Sequence, residues 1–483
     1  MPRQLVLIHG YSDKGEAFFP MRDALRQRGI ELTDINICTY ITLNNEITIK
    51  DIAEGLERAF LTHPVLKNDP GFEFDAIVHS TGMLVIRSWL TNYGIRSSQN
   101  ERLKRLKHLI GVAPATWGSP QAHKGRTWLG ALVKGDKNPF GPDFLNAGHR
   151  VLEGLELGSS FTWELAHLDL LGKEPYYDKG PNTPFVAVFI GNEPYTGLDS
   201  VANDPGTDGT VRWSGCGLNT RKIRIDLTRT PTDPDGNAVP TDANGVARQR
   251  VWISDFALSR LDIPMIAVDG RNHGTIIHDP EDGMVDLIAD FLRVGEPGGE
   301  TYDAWLKRAA QYGEKGLRKM MESPDAGFFG RLFWRAGEKL EGWQQFVVHA
   351  RDERGDPVTD YIIEIIHDGQ AFKAMYTDVH AYGPDPSYRC IHIHLPKGVT
   401  DPALKLKARI HASTGTELMA YQGYSEQKQE LTASSEPIEL DLDLGGDGSL
   451  FFPFTTTLIE IILNREPLPF NRMAKILTWV PQP

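Results

Sequence analysis

The sequence contains only three cysteines in 483 residues, Cys38, Cys216 and Cys390, and they lie far apart. This small, odd number of thiols excludes a dense disulfide framework and is typical of a reducing compartment. No apolar run approaches the roughly 18–20 residues that a membrane span requires. The apolar stretch near Met1 is short and lacks a small-residue cleavage site, so it does not resemble a secretory signal. We therefore expect a cytoplasmic protein, with signal-independent export left open.

Basic residues are fewer than acidic ones, 51 against 64, which gives a formal net charge of −13 and a sequence pI near 5.6. An acidic chain does not attract phosphate backbones, so we expect no nucleic-acid partner. The same charge disfavours broad docking on anionic membranes, although a local apolar patch would still allow transient contact with a membrane surface. The apolar fraction, 40% of the residues, is ordinary for a globular protein with buried cores.

From residue 1 to about 293, short apolar runs alternate with segments of helical periodicity. Strands separated by helices predict a parallel sheet that is covered by helices on both faces. The predicted strands are 5–8, 33–40, 74–78, 107–112, 184–190 and 264–268. The predicted helices between the first of these strands are 16–28, 48–62 and about 82–94.

The segment 117–183 interrupts this alternation. It contains helical patterns at Phe144–Leu157 and Phe161–Leu171 without a strand between them. We interpret the segment as an insertion above the sheet and as a candidate lid. Residues 229–248 are rich in Pro, Asp, Asn and Gly, which predicts a polar hairpin or loop.

The hydrophobic period changes in the last third of the chain. Residues 438–444 alternate strictly between apolar and acidic side chains, the period of a half-buried strand. Several such segments separated by turn residues predict an antiparallel β-sandwich. The predicted plan is therefore a first domain at 1–295, a helical linker at 296–340 and a sandwich at 341–483.

A serine stands where the third predicted strand meets the following helix, in the run Val78-His79-Ser80-Thr81-Gly82. A serine at such a turn is held in a strained conformation that exposes its hydroxyl beside the helix N-terminus. The alternative is that Ser80 only caps the helix. The strand–turn–helix context favours a nucleophile, and the small Gly82 lets the helix pack closely.

This run resembles the nucleophile elbow of α/β-hydrolase lipases and esterases, whose usual pattern is Gly-His-Ser-x-Gly. Val78 occupies the position of the first glycine and adds bulk to the turn, whereas Gly82 matches the second. The resemblance implies an α/β-hydrolase fold, ester hydrolysis with Ser80 as nucleophile, and no cofactor.

The first strand, Leu5–Ile8, leads into His-Gly-Tyr, and the first recognisable strand of lipases also ends in His-Gly. The resemblance implies that the backbone N–H groups of Tyr11 and Thr81 bind the oxyanion of the reaction. It also implies substrate-binding residues next to these donors, namely His9, Gly10 and His79. The alternative is an ordinary strand-ending turn with a core histidine.

A serine hydroxyl needs a histidine base and an orienting carboxylate, and in this fold the chain order is Ser, Asp or Glu, His. The run Asp-Gly-Thr-Val that begins at Asp208 resembles the segment that carries the acid of lipases. Asp204 is the nearby alternative, and both residue positions also suit turns. His273 stands on the loop after the last predicted strand, where the base belongs, and His278 is its alternative.

Three histidines of the predicted sandwich are candidate metal ligands. His392 and His394 are two residues apart and share a face of their predicted strand, and His380 is nearby in the sequence. No carboxylate or cysteine accompanies them at a suitable spacing. We therefore expect these histidines to be structural and the chain to bind no metal.

The candidate lid and the lipase-like motifs together favour lipid esters as the substrate, for example an acyl bond of a phospholipid. Two alternatives remain open at this point. The first is an esterase or thioesterase for small substrates. The second is an inactive hydrolase scaffold whose sandwich binds a protein partner that the sequence does not identify.

Overall fold

The structure is a computed structural model that divides into two compact units by its internal contacts. The first unit comprises residues 1–220, 255–343 and 453–456, and the second comprises 221–254, 344–452 and 457–483. The residues that the structure describes are 3–11, 15–31, 35–40, 44, 46–64, 66–68, 71–91, 99–124, 148–172, 175–177, 182–196, 203–255, 263–321, 340–373, 376–401, 404–416, 418–425, 430–432, 437–442, 444, 449–467 and 480.

The strands within the described residues are, in chain order, β1 (Gln4–Ile8), β2 (Ile35–Cys38), β3 (Phe74–Ser80), β4 (Leu106–Pro114), β5 (Phe185–Gly191), β6 (Thr220–Asp226), β7 (Val251–Asp255), β8 (Met265–Val268), β9 (Leu340–Asp352), β10 (Tyr361–His367), β11 (Gln370–Ala371), β12 (Thr377–Ala381), β13 (Tyr388–Pro396), β14 (Leu406–Ala412), β15 (Met419–Ser425), β16 (Glu430–Thr432), β17 (Ile438–Asp441) and β18 (Thr456–Pro467). The α-helices there are α1 (Phe19–Gln27), α2 (Ile49–Thr62), α3 (Gly82–Thr91), α4 (Gln99–Arg105), α5 (Pro120–Lys124), α6 (His149–Leu155), α7 (Ser160–Asp169), α8 (Thr275–His278), α9 (Asp282–Phe291) and α10 (Tyr302–Met321).

The first unit is built on a six-stranded sheet with the order β2-β1-β3-β4-β5-β8. Every neighbouring pair in this sheet is parallel, as the alternation of strands and helices predicted. All seven residues of the central strand β3 are buried, as expected for a parallel sheet that is covered on both faces. The carboxyl ends of these strands meet at one edge of the sheet, where the candidate site lies.

Helix α10 packs closely against strand β8 of this sheet. A Cβ atom added at Gly316 would lie 2.8 Å from the carbonyl oxygen of Ala267, and one at Gly313 would lie 3.3 Å from its backbone nitrogen. The glycines therefore allow a backbone-to-backbone approach that a larger residue would prevent. The predicted helical linker at 296–340 contains this helix, and the helix belongs to the first unit.

The predicted insertion contains helices α6 and α7, with no strand between them in its described residues, as the helical patterns predicted. Ser159 is the N-cap residue of helix α7, and its hydroxyl accepts a hydrogen bond from the Thr162 N–H at 3.2 Å. Residues 125–147 of the predicted lid lie outside the described residues.

The second unit contains two sheets that enclose one apolar core. A four-stranded sheet has the order β11-β10-β14-β17, and the other sheet contains β12-β13-β9-β18-β15-β16 together with β6 and β7. Apolar side chains from both sheets join a single buried cluster, for example Ile410 of β14 and Ile461 of β18. The strand pairings of the described residues in each sheet are antiparallel, so the predicted antiparallel β-sandwich is confirmed.

One predicted boundary is wrong, because residues 221–254 belong to the second unit and not to the first. Strand β6 pairs with β18 and with β7, and its apolar side chains Ile223 and Ile225 join the core of the sandwich. The predicted polar hairpin at 229–248 connects these two strands. Its tight turns are closed by aspartates, since Asp233 and Asp242 each accept backbone N–H groups two and four residues later.

None of the helices in the described ranges combines the length and the apolar character that crossing a membrane requires.

We predict that the second unit becomes less stable at acid pH, because burial lowers the pKa of two of its histidines. Burial lowers the pKa of His349, which stacks on Tyr388, and that of His394 from 6.5 to about 4. The unfolded chain therefore takes up protons on both rings below pH 6.5, whereas the folded chain resists this down to about pH 4. We expect the free energy of unfolding in urea to be lower at pH 5 than at pH 7 by on the order of 2 kcal/mol.

The substitution His349→Gln should remove part of this difference. His367→Gln is the matched control for the loss of a histidine, because that side chain is 34% exposed. Equal unfolding free energies of the wild-type protein at the two pH values would contradict the prediction.

Candidate active site

Ser80 is the last residue of β3 and adopts a left-handed backbone conformation with φ of 53°. A residue with a Cβ atom rarely adopts this conformation, because the side chain approaches the following carbonyl group. The Ser80 carbonyl accepts the Ala115 N–H at 3.0 Å, which fastens the strained residue to the segment after β4. Helix α3 begins at Gly82, so the strand, sharp turn and helix occur in the predicted order.

The residues on either side of this turn explain how it is accommodated. Val78, which occupies the usual glycine position, pairs in register with Gly111 of β4, and that residue has no side chain to compete for the same face. A Cβ atom at Gly82 would lie only 2.7 Å from the Ile8 carbonyl oxygen, so the glycine lets α3 approach β1. The prediction for Gly82 is confirmed, and the bulk of Val78 fits the sheet.

Asp208 and His273 form a buried pair, as the chain order predicted. His273 Nδ1 lies 2.9 Å from Asp208 Oδ2. The other carboxylate oxygen accepts the backbone N–H groups of Thr210 at 3.0 Å and Val211 at 2.8 Å. The backbone N–H of His273 also donates to the Asp208 carbonyl at 3.0 Å. The carboxylate is thus compensated on both oxygens, which a buried charge requires.

The loop that carries His273 is fastened to the end of β5. A Cβ atom at Gly191 would lie 2.3 Å from the Arg271 carbonyl oxygen, so only glycine permits this contact. Asn192 accepts the Gly270 N–H at 2.9 Å and donates to Asp269 at 3.0 Å. Sequence reasoning missed Asn192, and no motif marks it beyond its place after a buried strand.

Gly10 lies directly against Ser80. A Cβ atom at this position would lie 2.7 Å from Ser80 Cβ and 3.3 Å from Ser80 Oγ. The predicted oxyanion segment therefore adjoins the predicted nucleophile, although the two are 70 positions apart in the sequence. The next residue, Tyr11, is buried, and burial raises the pKa of its phenol to about 12.

His9 fixes the peptide group between Gly10 and Tyr11. The Tyr40 N–H lies 3.3 Å from His9 Nε2, so this nitrogen accepts and the proton is on Nδ1. His9 Nδ1 then donates to the Gly10 carbonyl at 2.6 Å. The Tyr40 hydroxyl donates to the His9 carbonyl, and the two rings stack with centroids 4.3 Å apart. No sequence signal pointed to Tyr40.

The predicted substrate-binding residues divide into two groups in the structure. Gly10 lies beside the nucleophile. His9 and His79 are buried, and each ring has a hydrogen-bonding partner in the backbone, so both differ from residues that present a side chain to a substrate. His79 Nε2 lies 3.0 Å from the His273 carbonyl oxygen, and the two rings have centroids 4.7 Å apart.

The two alternative residues from the sequence, Asp204 and His278, lie in different surroundings from this pair. The Asp204 carbonyl accepts the Thr207 hydroxyl at 2.7 Å, whereas the carboxylate on His273 is that of Asp208. His278 ends the short helix α8 and is exposed. In the second unit, His392 and His394 are buried in β13, and the described part of the chain has no group of three or more metal-ligating side chains.

A buried ion pair fixes the predicted insertion to the helix that follows Ser80. Arg87 of α3 donates to both oxygens of Asp169 at the end of α7, at 2.7 and 2.9 Å. The Tyr177 hydroxyl donates to the same carboxylate at 2.7 Å, and Arg87 also donates to the Thr116 carbonyl at 2.8 Å. Both charged side chains are fully buried, so removal of either one would leave the other charge buried without its partner.

The parallel sheet, the strained serine turn and the Asp–His pair at its carboxyl edge define an α/β-hydrolase fold, which is followed in this chain by an antiparallel sandwich. Among solved structures, the phospholipase PlaB from Legionella pneumophila has the same fold over nearly the whole chain. The TM-score is 0.70 and the identity 18%, with 96% of this chain and 94% of that chain covered.

A second structure of PlaB, in complex with thio-NAD, aligns with a TM-score of 0.71 at 19% identity and with the same coverage of both chains. At this identity the likeness establishes the fold of both units. No protein-family model matches the sequence, and a search of curated proteins found no match either.

The left-handed conformation of Ser80 predicts that this residue lowers the free energy of unfolding of the protein. Ser80→Gly should raise the free energy of unfolding by about 1 kcal/mol relative to Ser80→Ala, because glycine adopts a positive φ without steric cost. Both variants lack the hydroxyl, so the comparison isolates the backbone. Urea unfolding of the two variants measures the difference, and a glycine variant less stable than the alanine variant would contradict it.

Proposed function

We propose that the first unit is a serine hydrolase that cleaves carboxylic esters of lipids through an acyl-enzyme intermediate. The observation that carries this proposal is the buried Asp208–His273 hydrogen bond of 2.9 Å on a loop beside the strained Ser80 elbow. A carboxylate on Nδ1 holds the imidazole in the tautomer whose Nε2 accepts a proton.

In the first step, Ser80 Oγ attacks the ester carbonyl carbon while His273 Nε2 takes the hydroxyl proton. Asp208 stabilises the imidazolium that forms, and its low exposure strengthens this interaction relative to water. The carbonyl oxygen becomes an oxyanion, which the N–H groups of Tyr11 and Thr81 bind. Thr81 immediately precedes α3, so the positive end of that helix dipole also favours the oxyanion.

In the second step, the tetrahedral intermediate collapses and His273 gives its proton to the leaving alcohol oxygen. The acyl group then remains on Ser80 Oγ. Water attacks the acyl carbon with His273 again as base, and the second tetrahedral intermediate releases the carboxylic acid and restores the serine hydroxyl.

Two observations support a lipid substrate. The insertion at 117–183 interrupts the βα alternation beside the elbow and is fastened to α3 by Arg87 and Asp169, where a lid would be attached. In addition, a protein that has the same fold over 96% of this chain is a phospholipase. Transient contact with a membrane surface would deliver such a substrate.

Ser80→Ala tests the nucleophile. We expect this variant of the full chain to hydrolyse p-nitrophenyl esters and phospholipid vesicles at least about 10³-fold more slowly than wild type, because no other hydroxyl replaces the attacking oxygen. Ser88→Ala, a buried serine on α3, is the matched control and should stay near the wild-type rate. Wild-type Ser80 that fails to react with a fluorophosphonate probe would support the inactive scaffold instead.

The same assay separates the substrate classes when acyl chain length is varied. We expect the wild-type kcat/KM to be higher for long acyl chains than for acetyl or butyryl esters. A preference for short chains would favour the small-ester esterase, and a preference for acyl thioesters would favour the thioesterase.

Asp208→Asn tests the triad acid against its local alternative. We expect kcat to fall by about 10²–10⁴-fold with little change in KM, because an amide does not stabilise the imidazolium or hold the same tautomer. Asp204→Asn is the matched control and should retain kcat. The reverse pattern, measured with one soluble ester, would move the acid to Asp204.

A further inference from the structure

His79 precedes the nucleophile but has no place in the mechanism above. Its side chain is buried, and Nε2 lies 3.0 Å from the carbonyl oxygen of His273, 194 residues later in the chain. A carbonyl oxygen only accepts hydrogen bonds, so Nε2 of His79 carries the proton and donates it. The other ring nitrogen, Nδ1, is buried and has no partner among the described residues.

The surroundings of the ring keep it neutral. Burial lowers the pKa of His79 well below 6.5, and the neighbouring rings of His273, His278 and His9 disfavour a second proton further. Phe18 packs edge-on against the ring at a centroid distance of 6.4 Å. A neutral ring with one N–H is thus held in a single orientation and has one direction in which to donate.

The hydrogen bond completes a set of restraints on the base. The N–H of His273 donates to the Asp208 carbonyl at 3.0 Å, its ring Nδ1 bonds the Asp208 carboxylate at 2.9 Å, and its carbonyl accepts from His79. Two of the three restraints come from the acid. The third comes from the residue covalently bonded to Ser80, so it joins the base to the nucleophile.

We propose that His79 is a positioning residue, which sets the distance between Ser80 and His273 by holding the His273 carbonyl. This inference rests on the proposed function, because it assigns His79 to the same reaction. If this hydrogen bond is removed, the loop that carries His273 can move relative to the turn that carries Ser80. A displacement of about 1 Å between reacting groups can cost about 10²-fold in rate.

The test compares two substitutions of His79 in the full chain. Gln places its side-chain amide N–H near the position of Nε2, whereas Phe keeps the ring shape without a donor. We expect His79→Phe to lower kcat by about 10–100-fold with KM changed less than about twofold, and His79→Gln to recover most of the loss. Equal kcat in the two variants would overturn the proposal.

A spectroscopic readout separates positioning from general damage and from failure of the proposed function. We expect the Nδ1 proton between His273 and Asp208 to give a downfield NMR signal, which can be recorded without turnover. We expect this signal to shift or broaden in His79→Phe and to be restored in His79→Gln. An unchanged signal in a folded Phe variant would overturn the proposed positioning role of His79. A wild-type enzyme without Ser80-dependent hydrolysis would instead overturn the function.

If His79→Phe does not fold, Asn and Gln form the second comparison. The Asn amide reaches only the position of Nδ1, so it is too short to donate to the His273 carbonyl. We expect the Asn variant to have the lower kcat and the perturbed NMR signal. Equal behaviour of Asn and Gln would overturn the proposal in the same way.

Discussion

The hydrogen bond between Asp208 and His273 is the interaction on which the site depends. Its two residues follow β5 and β8, which are neighbours in the sheet, so the parallel pairing of those strands brings the loops together. The carboxylate is buried, and the backbone N–H groups of Thr210 and Val211 compensate its second oxygen. The turn around Asp208 and the pair therefore stabilise each other, because neither oxygen tolerates burial without its donors.

Glycines allow close packing around Ser80 and around the loop that carries His273. A Cβ atom at Gly82 or Gly191 would lie 2.7 or 2.3 Å from a backbone carbonyl oxygen, and one at Gly10 would lie 2.7 Å from Ser80 Cβ. Close packing of backbone against backbone lets loops from distant parts of the sequence meet with little freedom. The two buried histidines, His9 and His79, then orient individual carbonyl groups within this frame. We infer that close backbone packing and these two hydrogen bonds fix the main chain of the site, and that the fixed main chain in turn positions the reacting side chains.

Much of the first unit was predictable because buried parallel strands leave apolar runs and because the order of Ser80, Asp208 and His273 follows the fold. That β6 and β7 belong to the second unit was not predictable, since β18, the partner strand of β6, comes more than 200 residues later and polar turns look alike in any domain. The amphipathic pattern of α10 likewise does not reveal which strand it covers. The partners of His9 and His79 are carbonyl groups, which no residue-type motif records.

The interleaving of the two units has a consequence for how the chain is made. Thr220 and Thr456, which hydrogen-bond to each other, are 236 residues apart. A ribosome that adds about 5–20 residues per second needs roughly 10–50 s to cover that interval. During this time β6 exists without its partner strand β18, and the first unit lacks its last segment. The exposed apolar side chains and the unpaired edge of β6 favour aggregation of the nascent polypeptide until β18 has been made.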